Sequence, residues 1–441
     1  MRNRVISAAV AVLMLVVFSA CSQKSGPKGY NGTLSGALRV YVYADSFFGA
    51  PDYDAPVSSF RAAQTGLDVQ FQTFDDAAAL DTQLQADLEA GTPPDLLLCS
   101  RYGMTDVSRL FADGSLADLS AYLSADSTFD PEMYYAAALD ACTRKEKVFA
   151  LPLSLSPVLL VTSEEKLTQS GLDWDAAVTA AEKLTLLSGY ITRTLEEDPA
   201  AAPYMAFPSD ADFASSFLHP LGLTLWDSAS ETVVEPDADA LRLAVDWFLA
   251  AQKSSENGWN LGFVQKARGI PEKWDALCQN VTFANPSVLA GAKDYRTLDA
   301  YCTLRGETLR LLCVPTLSDP EKYAATVSTC GVIPAAASNP DAGYALLRYL
   351  MDWEGDTGFG LPVRRESVEN ALGDAERPYV GQLLSVLDRL GQAYLFEPVD
   401  MESDLYAYVC DSGYAKTGED LTSLRDALVR RAETWLAGDN S

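Results

Sequence analysis

The sequence predicts an α/β fold with mixed central sheets flanked by helices, divided into more than one lobe. Three observations carry this. The 441 residues are enough for two or three ordinary domains, and 48% of them are hydrophobic at near-zero mean hydropathy, so the chain can bury a sizeable core. Residues 38–100 alternate strand-like and helix-like patterns at the spacing of a parallel sheet with right-handed crossovers. The stretch KVFALPLSLSPVLLVTSEEKL, Lys147–Leu167, reads as two short Val/Leu-rich strands broken at Pro157. Proline lacks the N–H that a central ladder needs, so Pro157 belongs where the chain leaves one sheet for another. That marks a hinge strand between lobes. The alternative is a buried strand pair inside one domain.

In order, residues 1–21 carry Arg2 and Arg4 before an apolar run, Val5–Phe18, too short for a span of about 20 residues. It ends in FSA before Cys21, like the lipobox of bacterial lipoproteins, with Phe18 where a Leu is usual. A cleaved signal peptide with an incidental cysteine is the alternative. Residues 22–37, rich in Gly, Ser and Lys, form a flexible tether. Leu38–Tyr43 is the first strand and Ala55–Gln64 a helix ending before Gly66. Leu67–Phe71 is the second strand, and Asp76–Ala90 a helix capped by Asp76 and stopped at Gly91. GTPPDLLLCS gives the third strand. Ligands of such sheets bind beyond the carboxyl ends of the strands, here Asp45–Phe48 and Ser100–Tyr102.

Val107–Leu123 predicts two short helices around Gly114, and Pro131–Ala141 another helix. Beyond the hinge, helices are expected over Trp174–Leu187, Asp212–Leu218, Ala238–Gln252 and Pro340–Asp352. Strands are expected over Tyr204–Phe207, Val281–Ala284, Thr308–Val314 and Ala325–Ile333. Pro378–Gly438 reads as mostly helical.

A formal charge of −28 disfavours nucleic acid as a partner. His219 is the only histidine, which leaves no His-pair zinc site. The eight cysteines contain no C-x-x-C, and several lie in apolar strand patterns as small buried hydrophobes. No cofactor or metal is expected. Trp174, Trp247, Trp353 and Trp435 fall in helical patterns, whereas Trp226, after GLTL, has no such packing explanation.

Taken together and in order, these segments resemble the extracellular solute-binding proteins of family 1, the lipoprotein receptors of ABC importers. The matching stretches are GTPPDLLL, LFADGSLADLSAYL, KVFALPLSLSPVLLVTSEEKL, LDWDAAVTAAEKL, CGVIPAAASNPDAGYALLRYLMD, GFGLPVRRE and TGEDLTSLRDALVRRAETWL. The resemblance implies a type II periplasmic-binding-protein-like fold with a ligand cleft at the hinge. Lobe 1 would be 38–155 plus 328–370, and lobe 2 158–325 plus 373–441. It implies a monomer anchored through lipidated Cys21 to the outer face of the cytoplasmic membrane, passing a small solute to permease subunits.

Sugars need planar polar groups and aromatic platforms. Asp45 and Phe47 lie at the first strand end. SRYG resembles the Asp-Arg-Phe-Gly of maltodextrin-binding members, keeping Arg101 and an aromatic, Tyr102. FPSDADF offers Asp210, FANPS aligns Asn285 but has Ser287 where a stacking Trp is common, and MESDLYAY places Asp404 and Tyr406 beside Leu405. With Trp226 these are the candidate ligand residues. A sugar or oligosaccharide is the first expectation and a cationic or peptide-like solute such as a polyamine the second. A glycosidase using two of the carboxylates is a third, and no fixed pair in the sequence supports it.

Overall fold

The computed structural model describes residues 34–43, 52–100, 106–157, 159–197, 205–206, 213–227, 232–256, 283–284, 291–355, 357, 360–397 and 399–436. The strands are β1 (Gly36–Tyr43), β2 (Leu67–Phe74), β3 (Leu96–Ser100), β4 (Thr143–Arg144), β5 (Lys147–Val148), β6 (Leu151–Pro157) and β7 (Leu159–Ser163). They continue with β8 (Met205–Ala206), β9 (Trp226–Asp227), β10 (Thr232–Val233), β11 (Phe283–Ala284), β12 (Leu309–Cys313), β13 (Tyr323–Val332), β14 (Leu361–Pro362) and β15 (Leu390–Leu395).

β1, β2 and β3 pair in parallel, with β1 in the middle, as the alternating pattern of residues 38–100 predicts. Asp76 caps the intervening helix Ala77–Glu89, its Oδ1 accepting from Ala78 N at 3.0 Å. The sheet continues through β13 and β6 to β14, all antiparallel contacts, so it is mixed. β3 is buried at every position, which suits its continuous apolar run. Asp95, at the entry to β3, is 1% exposed. It accepts from Arg39 N, from Ser338 Oγ and from Asn339 N at 2.7–2.9 Å. One carboxylate thereby fastens the parallel strands to the start of helix Pro340–Met351.

The Lys147–Leu167 stretch divides as its proline suggests. β6 lies in the large sheet, its last residue Pro157 opposite Ala325, and β7 lies in a second sheet of order β12-β7-β11-β8. Hydroxyl pairs join β6 to β13, buried Ser154 to Thr329 and half-buried Ser156 to Ser328, each at 2.6 Å.

Two apolar cores follow from the two sheets. The first lies under the large sheet and runs on beneath helices Ala292–Leu304 and Pro378–Asp388. The second gathers helices Ala180–Glu197, Ala238–Glu256, Val399–Asp411 and Leu421–Leu436 around Trp174, Phe213, Trp247 and Leu405. Cys99, Cys142, Cys302 and Cys330 are buried thiols.

Several local expectations need correcting. The tether expected over residues 22–37 does not reach residue 37, since Leu34 is buried in the first core and β1 begins at Gly36. The helix expected from Trp174 begins only at Ala180. Thr179 and Glu182 form a reciprocal cap there: Glu182 Oε2 accepts from Thr179 N and Val178 N at 2.8 Å, and Thr179 Oγ1 accepts from Glu182 N at 3.2 Å. Ala214–Leu218 is a π-helical turn followed by a 3-10 turn, His219–Leu221, and buried Glu402 accepts from the N–H groups of Ala214 and Ser215 at its start. Pro131–Ala141 is a 3-10 turn and a short helix, separated at Tyr134–Tyr135. Within the stretch read as helical from Pro378, β15 intervenes and pairs in parallel with β13.

Candidate functional site

Most of the sequence-derived ligand residues, Asp45, Phe47, Arg101, Tyr102, Asp210 and Asn285, lie outside the described residues, as does Cys21. Asp404 and Tyr406 are on helix Val399–Asp411, within the second lobe's helical packing. Asp404 Oδ2 pairs with Arg431 Nε at 2.8 Å. Tyr406 meets Phe248 edge-on at 5.5 Å and receives a hydrogen bond from Gln252 Nε2 at 3.3 Å. Leu405 is fully buried between them in sequence.

Trp226 is placed differently. It opens the small hairpin β9–β10, held by Thr224, whose hydroxyl accepts from Trp226 N and donates to Trp226 O. Its neighbour Leu225 belongs to the second core, yet its ring lies 5.9 Å from the guanidinium of Arg144. Arg144 comes from the first core's side, on the hairpin β4–β5. That hairpin turns through Lys145 and Glu146, both left-handed at φ 47° and 64°, a conformation glycine or asparagine normally supplies. Arg144 is 1% exposed. It donates to the carbonyl of Ser108 at 3.1 Å and to the Ser108 hydroxyl, and lies over Phe111 and Phe149 at 5.7 and 4.9 Å.

Around this arginine the two cores meet through charged groups. Asp106 caps helix Val107–Ala112, accepting from Arg109 N at 2.9 Å. Burial pushes its carboxyl up, although Arg109 and Arg144 act against the rise. Glu397 lies between Phe396 of the first core and Met401 of the second. Burial, with the charge of Asp106 adding, pushes its carboxyl up to about 7 against the pull of Arg144. His219 Nε2 is 3.9 Å from Glu397 Oε1, too far for a hydrogen bond. The imidazole stacks on Tyr394 at 4.5 Å, and burial drives it down to about 3, so it is neutral. Among the described residues, neither His219 Nδ1 nor Trp226 Nε1 has a hydrogen-bond partner, and both are buried. An open indole N–H, a ring face and ionised groups therefore share one seam between the lobes. Such a set can stack on an apolar face and exchange hydrogen bonds with hydroxyls.

The family model of bacterial extracellular solute-binding proteins matches residues 41–277, more than half of the chain. The chain belongs to that family. Solved structures of solute-binding proteins share its two-lobe fold at low identity. The sugar-binding protein MalE from Xanthomonas citri matches at 14% identity and TM-score 0.62, covering 92% of this chain and 98% of that one. The galacto-N-biose/lacto-N-biose I-binding protein of an ABC transporter from Bifidobacterium longum, solved with lacto-N-biose, matches at 11% and 0.61, covering 93% and 98%. The GacH receptor of Streptomyces glaucescens, solved with acarbose, matches at 16% and 0.57, covering 92% and 100%. No curated protein matches the chain.

For a solute-binding protein of this fold, the seam residues that sequence reading misses are Asp106, Arg144 and Glu397. Glu397 alone carries a signal, a lone charge in the apolar YLFEPV; Arg144 is masked by the charged run RKEK in which it stands. Among the described residues, no cluster of three or more His, Cys, Asp or Glu side chains could hold a metal, and no helix is long and apolar enough to cross a membrane.

Proposed function

We propose that this solute-binding protein captures a sugar or oligosaccharide between its lobes and delivers it to the permease subunits of an ABC importer, without catalysis. The observation that carries the reading is Trp226 beside Arg144: an indole face and free N–H from one lobe, next to a fixed guanidinium from the other. A pyranose presents a C–H face to the indole ring and a hydroxyl oxygen to its N–H, while the guanidinium held by Ser108 fixes the charge behind the ring. Asp45, Phe47, Arg101 and Tyr102 from lobe 1, with Asp210 and Asn285 from lobe 2, complete the site. The sugars held by the structural neighbours from Streptomyces and Bifidobacterium support the solute class.

Lobe 1 is built on 38–155 plus 328–370 and lobe 2 on 158–325 plus 373–441, except that helices Ala292–Leu304 and Pro378–Asp388 and strand β15 pack with the first core, which moves the third crossing to the end of β15. Closure bends the crossings near Ser154–Val158 and Ala325–Thr329, the hinge motion of binding proteins of this kind. Cys21 carries the lipid that anchors the chain to the outer face of the cytoplasmic membrane; Cys21→Ala should release it from the membrane fraction.

A cationic solute is the second reading, favoured by Asp106 and Glu397, two carboxylates near one arginine. A thermal-shift screen against sugars, polyamines and peptides separates the two. A ligand at 100 times its Kd adds about 2.7 kcal/mol. Stabilisation by polyamines alone would replace the sugar reading.

A further inference from the structure

We propose that Cys99 and Cys330 are a disulfide site: outside the cytoplasm the two thiols are oxidised to a bond that staples β3 to β13 and fixes the carboxyl end of β3 to the strands of the crossing. The inference concerns a covalent modification of the first lobe and does not rest on which solute the protein takes.

β3 and β13 run antiparallel, and their register sets Cys330 directly opposite Cys99, with Thr329 opposite Ser100 and Gly331 opposite Leu98. Residues so opposed point to the same face of the sheet, with Cα atoms roughly 4.5–5.5 Å apart. A disulfide spans about 4.4–6.8 Å between Cα atoms, so the bond closes within the distance the register already provides. The two side chains are neighbours in hydrogen-bonding contact. Both belong to the first core, at 5% and 0% exposure. Pairing of β13 with β6 and β15 as well leaves the register no freedom to slip. Among the described residues no other cysteine faces a cysteine across a strand pair. Cys313 stands opposite Leu159, and Cys410 accepts from Gln252 Nε2 at 3.2 Å. Cys142, at the end of helix Ala136–Ala141, neighbours Cys330 without lying in a paired strand, and it is the rival partner.

An extracellular solute-binding protein matures where thiols are oxidised. The chemistry is exchange with a disulfide-bearing oxidant, an oxidoreductase or a small oxidised thiol. One cysteine, as its thiolate, attacks a sulfur of that oxidant and forms a mixed disulfide, and the second then displaces the oxidant's sulfur. Two cysteine S–H bonds are lost and one S–S bond forms. The oxidant takes up the two electrons and two protons and leaves as thiols. Exchange takes place as the strands dock. Once they are packed, the hydrogen bond with Cys99 and then burial push the Cys330 thiol well above its ordinary value, and it no longer supplies a thiolate. Position gives the bond its consequence. In the next pair along, Thr329 meets the Ser154 hydroxyl of β6 at 2.6 Å, and Ser100 ends β3 just before Arg101 and Tyr102. A staple one residue back holds the end of β3 against the strands on which closure bends. It also joins residues far apart in the chain, and in the chain-entropy account a long closed loop removes the most freedom from the unfolded state.

The test maps the cysteines of the full chain recovered from outside the cytoplasm. The chain is unfolded without reductant in excess alkylating reagent, digested with trypsin and read by mass spectrometry. The expected product is the peptide carrying Cys99 joined to the peptide carrying Cys330, lighter by two hydrogens than the two thiol peptides together, with Cys142 alkylated. Alkylation of both Cys99 and Cys330 overturns the proposal, and so does a link between Cys142 and Cys330. Thermal unfolding reads the staple itself. The wild type should melt several degrees lower with a phosphine reductant than without it, and Cys330→Ala should melt at one temperature in both buffers. A wild-type melting temperature that the reductant leaves unmoved overturns the stapling, as does a Cys330→Ala variant that keeps the wild-type shift. Should Cys330→Ala fail to fold, the mapping of the wild type decides alone.

Discussion

Arg348→Met offers the sharpest stability test. The Arg348 side chain is 2% exposed in the first lobe, on helix Pro340–Met351. Its Nε meets Asp126 at 3.1 Å, its Nη1 the Tyr134 hydroxyl at 3.1 Å and its Nη2 Asp352 at 3.0 Å. Its guanidinium also lies 5.3 Å from the Phe129 ring. Methionine fills much of the volume and removes the charge. Breaking a buried pair by deleting one partner costs about 3–5 kcal/mol. Asp126 keeps Thr128 N, Thr128 Oγ1 and the Tyr344 hydroxyl at 2.6–3.2 Å, and Asp352 is 29% exposed and can take up water. The loss should therefore fall at the low end, about 3 kcal/mol. Burial raises the Asp126 carboxyl, but the Thr128 hydrogen bonds and Arg348 outweigh it and the net shift is downward. A depressed carboxyl adds stability above its unfolded value near 3.9 and loses it as the pH falls through the folded value. The deficit of the variant should thus be largest at neutral pH and shrink in acid. Urea unfolding at pH 7 and pH 3.5, with an unchanged m-value, measures both. A loss under 1 kcal/mol at pH 7, or a deficit that grows in acid, would refute the argument.

Three further outcomes are expected. Trp226→Ala should weaken sugar binding by about tenfold, since an aromatic platform contributes roughly 0.5–1.5 kcal/mol beyond area burial; calorimetry showing unchanged affinity would remove Trp226 from the site. Gly343→Ala should destabilise the chain despite the helix preference for alanine, because its Cβ would stand 2.4 Å from the Asp95 carbonyl oxygen, backbone that cannot swing aside; a raised Tm would contradict this. Glu402→Ala leaves the N–H groups of Ala214 and Ser215 and the Ser215 hydroxyl without their acceptor in a buried place, at a cost of about 1–3 kcal/mol read by thermal unfolding.

The strands of the first lobe are legible because local signals agree there: the β-rich run of β1, the cap at Asp76 and the apolar LLLCS are all contiguous. The step at Pro157 is legible for the same reason. β15 is not, since LGQAYL carries a glycine, alternates weakly and lies between helical patterns; its strand conformation comes from β13, some 65 residues earlier in the chain. The late start of helix Ala180–Glu197 does have a local signal, Thr179 three residues before Glu182, which outranks the apolar spacing from Trp174. At the site, Trp226 stands out as an aromatic outside any helical stripe. Asp106 and Arg144 do not, because their meaning arises only when distant segments converge.

β13 has a consequence in time rather than in space. All ten of its residues are buried, and it is hydrogen-bonded to β3, β6 and β15. A chain emerging from the amino end has already made β1, β2, β3 and β6 when β13 is still more than 160 residues away. Until it arrives, β3 and β6 present bare edges, and no local closure can satisfy them. The first lobe is thus kept from completing itself early, and its sheet locks only when most of the polypeptide is present. Such long-range pairing folds slowly. The delay carries a hazard: any pause before residue 323 leaves two apolar strand edges open to other chains.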